Sequence, residues 1–167
     1  TYWMRASEVY FLLSEAALHG FPVGQTAEDL YKKGIETSFE ENGIPSSEVD
    51  TYISSGLTPL TYSLHMSNPN VNVDAPAVTN ATTEWTGTDE EKLEKIMIQK
   101  WIALYPNGQE AWSEYRRTGY PKLHTAISNH SNGEVDTQTG IRRMRFPTNK
   151  ATSKEDIENL EKARQML

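Results

Sequence analysis

Two carboxylates four residues apart, Glu110 and Glu114, are the first residues in this sequence whose types suggest catalysis. Glycoside hydrolysis uses two carboxyl groups that flank the sugar from opposite sides, about 5 to 9.5 Å apart. Residues four apart lie on the same face of one helix, so this pair cannot flank a sugar. We therefore predict that Glu114 pairs with Arg116 or Arg117, that Glu110 complements the helix N-terminus, and that the protein has no catalytic residues and is not an enzyme.

Five arginines are numerous enough to hold an anion together. They are Arg116, Arg117, Arg142, Arg143 and Arg145. Planar guanidiniums also bind carboxylates and backbone carbonyls, so the same residues could instead hold a buried corner between helices and an extended segment. The residue types alone leave both interpretations open.

Metal and cofactor sites have no support in the sequence. The histidines, His19, His65, His124 and His130, have no metal-ligand spacing, and there is no cysteine to complete a zinc site. Glycine-rich phosphate loops and G-x-S-x-G elbows are also missing. We predict no metal and no cofactor.

Aromatic side chains give the best candidate for a ligand site. Sugar recognition needs flat rings against the apolar faces of pyranoses, with polar groups nearby for the hydroxyls. Trp85 and Tyr62, which lie among Asn and Thr, meet this requirement better than Trp101 and Trp112, which lie on apolar helix faces. Trp85 could alternatively hold its own loop against the body of the protein. Trp85 and Tyr62 are the predicted ligand-binding residues.

Composition restricts the classes of partner. The 167 residues carry a net charge of -7, which argues against nucleic acid because phosphate binding needs clustered Lys and Arg. No apolar run is longer than that of residues 101–105, which is far too short to span a membrane. A hydrophobic content of 37% with four Trp and eight Tyr favours a region that uses aromatic surface at contacts.

The elements that position these residues centre on residues 92–123. Residues 96–105 are apolar apart from Gln99 and Lys100, which predicts a helix buried on most sides. Pro106 ends this helix, and the following Asn107-Gly108 predicts a tight corner. A second helix begins near residue 109 and ends at Gly119, just before Pro121.

Four further helices are predicted around this centre, with two long polar loops between them. The helices cover residues 3–19, 26–43, 46–54 and, from a cap at Ser153, the end of the chain. The loops cover residues 57–87 and 124–140, and residues 141–146 are predicted to be extended. Thr88 and Glu91 form a capping box at the start of the central helix.

The first two predicted helices have the spacing of a tetratricopeptide pair. Ala27, Tyr31 and Gly34 follow the small, aromatic, small pattern of that repeat's second helix. This pattern also underlies an alternative function, in which the protein is a tetratricopeptide-like scaffold that binds a peptide or protein partner.

The segment NGQEAWSEYRRTGYPKL resembles a motif near the C-terminus of SusD-like (SusD/RagB) proteins, which are nutrient-capturing surface lipoproteins of Bacteroidetes. ASEVYFLLSEAALHG and IRRMRFPTNK resemble two further segments of that family. The resemblance implies that the chain is the C-terminal portion of such a protein and that its motif residues are structural. These are Asn107, Gly108, Glu110, Trp112, Arg116, Arg117, Gly119, Tyr120 and Pro121.

The resemblance also implies a fold and a function. The expected fold is all-α with tetratricopeptide-type helix pairs and forms a single region over residues 1–167. The expected function is non-enzymatic binding of an oligosaccharide or polysaccharide and its delivery to a SusC-like TonB-dependent transporter. The expected location is the outer face of the outer membrane, through an N-terminal lipid anchor that is not in this sequence.

Further expectations accompany the resemblance. The family keeps these arginines whatever its ligand, so the resemblance favours the structural interpretation of the five arginines. Glycan contacts in the family come largely from parts upstream of this region, and the motif does not identify the glycan. We also expect the region to be poorly stable on its own.

Overall fold

The computed structural model describes residues 4–64, 73–126, 128–141 and 154–165, which belong to two units, residues 1–124 and 125–167. Within these residues the regular structure is almost entirely helical, which confirms the all-α prediction. In chain order the elements are α1 (Ala6–Leu18), α2 (Ala27–Glu41), α3 (Val49–Ser54), β1 (Tyr62–Leu64), β2 (Val73–Ala75), α4 (Asp89–Ala103), α5 (Gly108–Thr118) and α6 (Lys154–Gln165). A single 3-10 turn, Ser46–Glu48, precedes α3.

Helices α1 and α2 form a closely packed pair. Phe11 of α1 and Tyr31 of α2 are fully buried, and their rings meet edge to face with centroids 6.4 Å apart. A Cβ at Gly34 would lie 2.7 Å from Phe11 Cε1, so only glycine allows this approach. The predicted small, aromatic, small spacing therefore corresponds to a real contact between the two helices.

The N-terminus of α1 is capped by a side chain from the end of α2. Glu41 Oε1 accepts hydrogen bonds from the backbone N–H of Ala6 at 2.9 Å and of Ser7 at 3.3 Å. Its Oε2 accepts from Ser7 Oγ at 2.7 Å. A carboxylate at this position satisfies free amides and complements the positive end of the helix dipole.

Helix α4 packs against both α1 and α2 and is buried on most sides, as predicted. The Thr88 and Glu91 capping box is present at its start. Ile96 and Met97 are buried in the core, whereas Ile102 is 54% exposed. Two lysines of α4, Lys95 and Lys100, are also buried, which the sequence pattern did not predict.

The predicted corner between α4 and α5 is confirmed. Asn107 Oδ1 accepts the backbone N–H of Glu110 at 3.4 Å, which caps α5. The helix ends at Gly119 with a φ of 80°, a left-handed conformation that glycine adopts without strain. The peptide bonds that precede Pro106 and Pro121 are cis.

The segment predicted as a loop over residues 57–87 contains a small hairpin. Strands β1 and β2 are antiparallel, with Tyr62 opposite Ala75 and Leu64 opposite Val73. Each strand has three residues, which is too short to produce a detectable alternation of apolar and polar residues. The sequence pattern therefore predicts no strand here.

In the unit formed by residues 125–167, residues 128–140 make local turns. Asp136 Oδ1 accepts backbone N–H groups of Gln138 and Thr139 at 2.9 and 2.7 Å, and these bonds lower the pKa of Asp136. Helix α6 is present where the last helix was predicted, with Ile157 exposed. Some predicted features lie outside the described residues. They are residues 142–146 of the extended segment, the cap at Ser153 and the helix start at residue 3.

Candidate functional site

Residues 82–86, near the end of the long polar segment, are tied to three helices by hydrogen bonds. Tyr31 of α2 donates its hydroxyl to the Thr83 carbonyl oxygen at 2.9 Å. Thr83 in turn donates its own hydroxyl to the Ile53 carbonyl oxygen of α3, also at 2.9 Å. Thr83 is only 4% exposed. This part of the segment therefore belongs to the folded body of the protein.

Lys95 of α4 makes the third connection. Its Nζ donates to the carbonyl oxygens of Glu84 at 2.7 Å and Thr86 at 2.8 Å, and it contacts the hydroxyls of Thr82 and Thr86 at 3.2 and 3.1 Å. Burial lowers the pKa of Lys95 from its usual value. Four oxygens around one ammonium satisfy its donors, as a buried cation requires.

Trp85 lies half-buried against the hydrophobic core. The centroid of the Trp85 ring is 5.0 Å from the centroid of the Tyr31 ring. Lys92 of α4 places its Nζ 5.8 Å from the centre of the Trp85 ring. These contacts are those of a residue that holds its segment against the helices, the alternative considered in the sequence analysis. Whether Trp85 also contacts a ligand stays a prediction.

Tyr62 has different surroundings. It begins strand β1, is 50% exposed, and its ring lies 6.1 Å from the ring of His124. An exposed aromatic ring with a polar neighbour is the arrangement that a sugar ring needs. The two predicted ligand residues thus occupy unlike environments, Trp85 in the body and Tyr62 on the surface.

Two cavities share residues 81–82 in their walls. The first has a volume of about 290 Å³, and its walls are largely apolar. They include Tyr52, Leu57, Pro59, Ile98 and Ile102. This cavity offers contact to an apolar surface with few hydrogen bonds.

The second cavity is larger, about 520 Å³, and its walls are mostly polar. They include Thr79, Asn80, Thr86, Glu94 and Lys122, and the cavity shares Ala81, Thr82 and Lys95 with the first. Hydroxyl, amide and charged groups around one space can bind a ligand rich in hydroxyl groups. Neither cavity could be predicted from the sequence, because their walls come from segments far apart in the chain.

The motif residues of α5 form an ion-pair network with α1 and α4. Arg117 makes two parallel hydrogen bonds to Glu15 of α1, at 2.6 and 2.7 Å. It also bonds Glu114 at 3.2 and 2.8 Å, as the sequence predicted. Lys100 Nζ of α4 lies 3.1 Å from Glu114 Oε2. Glu114 is therefore engaged by two cations within the body of the protein.

These contacts set the pKa values of the pair. Burial acts to raise the pKa of Glu114, but hydrogen bonds from Arg117 and the charge of Lys100 outweigh it, and the pKa is lowered. Hydrogen bonds to Glu15 and Glu114 raise the pKa of Arg117. A carboxylate held ionised in this way is suited to structure rather than to general acid catalysis.

Three more motif residues also have structural contacts. The guanidinium of Arg116 lies 4.5 Å from the ring centre of Trp112. Tyr120 donates its hydroxyl to Glu90 Oε1 at 2.5 Å, and this bond raises its pKa to about 12. The other arginines of the predicted cluster lie outside the described residues, as does His65. They are Arg142, Arg143 and Arg145.

Within the part of the chain that the structure describes, no three His, Cys, Asp or Glu side chains are grouped closely enough to hold a metal ion. In the same residues, no helix combines the length and apolar character needed to cross a bilayer.

Comparison with known families gives a match over the whole chain. The model of the SusD-like family, described as SusD and RagB outer membrane lipoprotein, matches residues 1–167. A comparison with curated protein sequences gave no match.

Solved structures of similar sequence agree with this match. A SusD homologue from Bacteroides ovatus is 44% identical, with a TM-score of 0.86, and the alignment covers 98% of this chain and 33% of that one. A chitin-binding SusD homologue from Flavobacterium johnsoniae is 42% identical, with a TM-score of 0.80 and coverage of 94% and 32%. A SusD homologue from Bacteroides thetaiotaomicron is 39% identical, with a TM-score of 0.77 and coverage of 98% and 33%. The chain thus spans about a third of the length of these relatives.

Proposed function

Because the chain belongs to the SusD-like family of outer membrane lipoproteins, we propose that the protein binds an oligosaccharide or polysaccharide at the outer face of the outer membrane and delivers it to a SusC-like TonB-dependent transporter. The observation that carries the proposal is the similarity to the chitin-binding homologue. The protein is expected to bind and release its ligand without breaking a bond.

The surroundings of the carboxylates support binding over catalysis. Glu114 is engaged by Arg117 and Lys100, and Glu15 is engaged by Arg117, so neither is placed as a free acid or base. Hydrolysis of a glycan would need a second carboxylate across the sugar. The α5 motif is proposed to act as a structural corner, with its ion pairs holding α1, α4 and α5 together.

The proposed ligand surface lies on the segment of residues 57–87. Tyr62 supplies an exposed ring on β1, and Trp85 packs against Tyr31 of α2, which holds that end of the segment against the helices. A sugar stacked on Tyr62 would gain contact with the ring face, and neighbouring hydroxyls could bind polar side chains of the segment.

Native gel electrophoresis of the full-length protein tests this function. The gels are loaded with a panel of polysaccharides that includes chitin-derived glycans, and binding appears as retardation. We expect one glycan to retard the wild type and Tyr62→Ala to reduce the retardation. Tyr105→Ala is the matched control, since Tyr105 is 79% exposed on the α4–α5 corner and should not affect binding. Trp85→Ala should reduce retardation too if this ring contacts the glycan.

Failure of every glycan to retard the protein would contradict the proposal and favour a tetratricopeptide-like scaffold that binds a peptide. Reproducible release of reducing ends from any glycan would contradict the non-enzymatic part. Delivery is tested separately, by isolating the tagged protein from detergent-solubilised outer membranes. Recovery without a TonB-dependent transporter would reject that partner.

A further inference from the structure

Three Asn-Gly pairs occur in the sequence, and each has the residue types for a reaction of the chain with itself. They are Asn42-Gly43, Asn107-Gly108 and Asn132-Gly133. In such a pair the backbone nitrogen of the glycine can attack the side-chain amide carbon of the asparagine, because glycine has no Cβ to hinder the approach. The reaction needs both the asparagine side chain and the glycine N–H to be free of other bonds, so the structure distinguishes the three pairs.

The pair Asn42-Gly43 is held at the end of α2. Asn42 Nδ2 donates a hydrogen bond to the Ser38 carbonyl oxygen at 2.7 Å. The Gly43 N–H donates to the Glu40 carbonyl oxygen at 3.1 Å. Both the group that would be attacked and the nitrogen that would attack are therefore engaged, and the end of α2 must open before they can react.

The pair Asn107-Gly108 is held at the start of α5. Asn107 Oδ1 accepts the backbone N–H of Glu110 at 3.4 Å, and the Gly108 N–H donates to the Pro106 carbonyl oxygen at 3.0 Å. Gly108 is also the first residue of α5, so its backbone conformation is fixed by the helix. This pair can react only after the α4–α5 corner has opened.

The pair Asn132-Gly133 lies at the apex of an exposed turn in the unit formed by residues 125–167. The Glu134 N–H donates to the Ser131 carbonyl oxygen at 3.2 Å and closes the turn. Asn132 and Gly133 have φ angles of 54° and 84°. Positive φ at both central residues is typical of a type I′ turn, in which Asn-Gly is the preferred sequence.

Neither reacting group of this third pair is held by another residue. Within residues 128–141 and the other described parts of the chain, the Asn132 side chain and the Gly133 N–H make no hydrogen bond. Asn132 is also the one non-glycine residue in those parts that has a positive φ. Residues other than glycine are less stable in that conformation, so little opposes rotation of Asn132 towards the geometry of attack.

We propose that Asn132 is a site of spontaneous deamidation, whereas Asn42 and Asn107 are protected by the fold. The Gly133 nitrogen loses its proton to hydroxide and forms a bond to Asn132 Cγ. The Cγ–Nδ2 bond breaks, and Nδ2 takes a proton from water and leaves as ammonia, which closes a succinimide ring. Water then opens the ring at either carbonyl and gives aspartate or isoaspartate. The product adds a carboxylate to a loop that already carries Glu134 and Asp136.

Peptide mapping by mass spectrometry of the folded, full-length protein tests this assignment. The protein is incubated at pH 8 and sampled over time, and the mass gain of each of the three Asn-Gly peptides is followed. We expect Asn132 to deamidate at least about 10-fold faster than Asn42 and Asn107, because 10-fold protection needs a local opening free energy of only about 1.4 kcal/mol.

The same protein unfolded in guanidinium chloride is the matched control. The three pairs should then react at similar rates, because the hydrogen bonds that distinguish them are lost. Asn132→Gln lengthens the side chain and disfavours ring closure, so it should remove the mass gain from that peptide and leave the other two rates unchanged. Protection of Asn132 in the folded protein equal to that of Asn42 and Asn107 would overturn the proposal, as would folded-state rates at those two sites that match their unfolded rates.

Discussion

Glu114 and Glu8 are two carboxylates near the same buried lysine, Lys100, yet their pKa values move in opposite directions. For Glu114, bonds from Arg117 and the charge of Lys100 outweigh burial, and the pKa is lowered. For Glu8, burial outweighs the attraction to Lys100, and the pKa is raised. The difference lies in Arg117, which bonds Glu114 on one side and Glu15 on the other.

Because of these shifts, the two carboxylates should affect the pH dependence of stability with opposite signs. Glu114 contributes stability above its unfolded pKa of 4.5, and this contribution is lost as the pH falls through the lower pKa of the folded state. Glu114→Gln should therefore cost about 3 kcal/mol near neutral pH, since Lys100 stays buried, and less in acid.

The raised pKa of Glu8 has the reverse effect. The contribution of Glu8 to the stability of the wild type should decrease as the pH rises from 4.5 through the folded pKa of Glu8. Relative to the wild type, Glu8→Gln should thus become more stable as the pH rises. Urea unfolding of the full-length variants from pH 3 to pH 8 would measure both, and parallel curves for the two variants would contradict the assignment.

At the contact of α1 and α2, the ring of Phe11 leaves no room for a side chain at position 34. Gly34→Ala would place its Cβ 2.7 Å from Phe11 Cε1, and we expect it to lower the free energy of unfolding by about 1–3 kcal/mol. Gly108→Ala is the control, because a Cβ there meets nothing within 4 Å. Equal stability of the two variants in chemical denaturation would show that the helices can separate at no cost.

At the scale of elements, Lys95 of α4 binds the segment of residues 79–87 to the helix by hydrogen bonds. Lys95→Met would remove the donor to Glu84 and Thr86 while keeping the side chain long enough to fill the space. We expect faster hydrogen exchange in peptides covering residues 79–87, and a lower free energy of unfolding, because several oxygens lose their partner. Lys32→Met on the exposed face of α2 is the control, and unchanged exchange in the Lys95 variant would contradict the role.

Local features of these elements could be predicted from the sequence. The capping box at Thr88, the corner at Asn107 and the helix end at Gly119 depend on residues within one turn, and each is present. The pairing of Glu114 with Arg117 is likewise a contact within one helix. Such contacts follow from helical spacing, whatever the rest of the chain does.

Contacts between elements could not be predicted in this way. Arg117 and Glu15 are 102 residues apart, and nothing in their local sequences selects them as partners. Lys95, Lys100 and Glu94 have the composition of a solvated helix face, yet all three are buried, because α4 is covered by other segments. The polar cavity was missed for the same reason, while Tyr62 and Trp85 were singled out by their polar surroundings alone.

At the scale of the whole molecule, several large apolar side chains are exposed in the unit formed by residues 1–124. They include Phe21, Leu57, Leu60 and Ile102. Relatives of this chain are about three times as long, so their additional residues are available to cover such surface. Apolar surface of this kind favours association or partial unfolding when left in water.

We therefore expect the isolated 167-residue chain to be poorly stable. Its thermal unfolding should be broad, and it should bind the dye ANS more strongly than the full-length protein does. Differential scanning calorimetry and dye fluorescence of both proteins would test this. A single cooperative transition of the isolated chain, with little dye bound, would contradict it.

The cap that Glu41 places on α1 links two helix ends that are separate in the chain. Fraying normally begins independently at each terminus, because the last turns have the fewest hydrogen bonds. Here the first turn of α1 cannot open without losing Glu41, and the last turn of α2 cannot open without releasing the amides of Ala6 and Ser7. The two ends should therefore open together, as one coupled event, at the side of the helix pair opposite the α1–α2 connection.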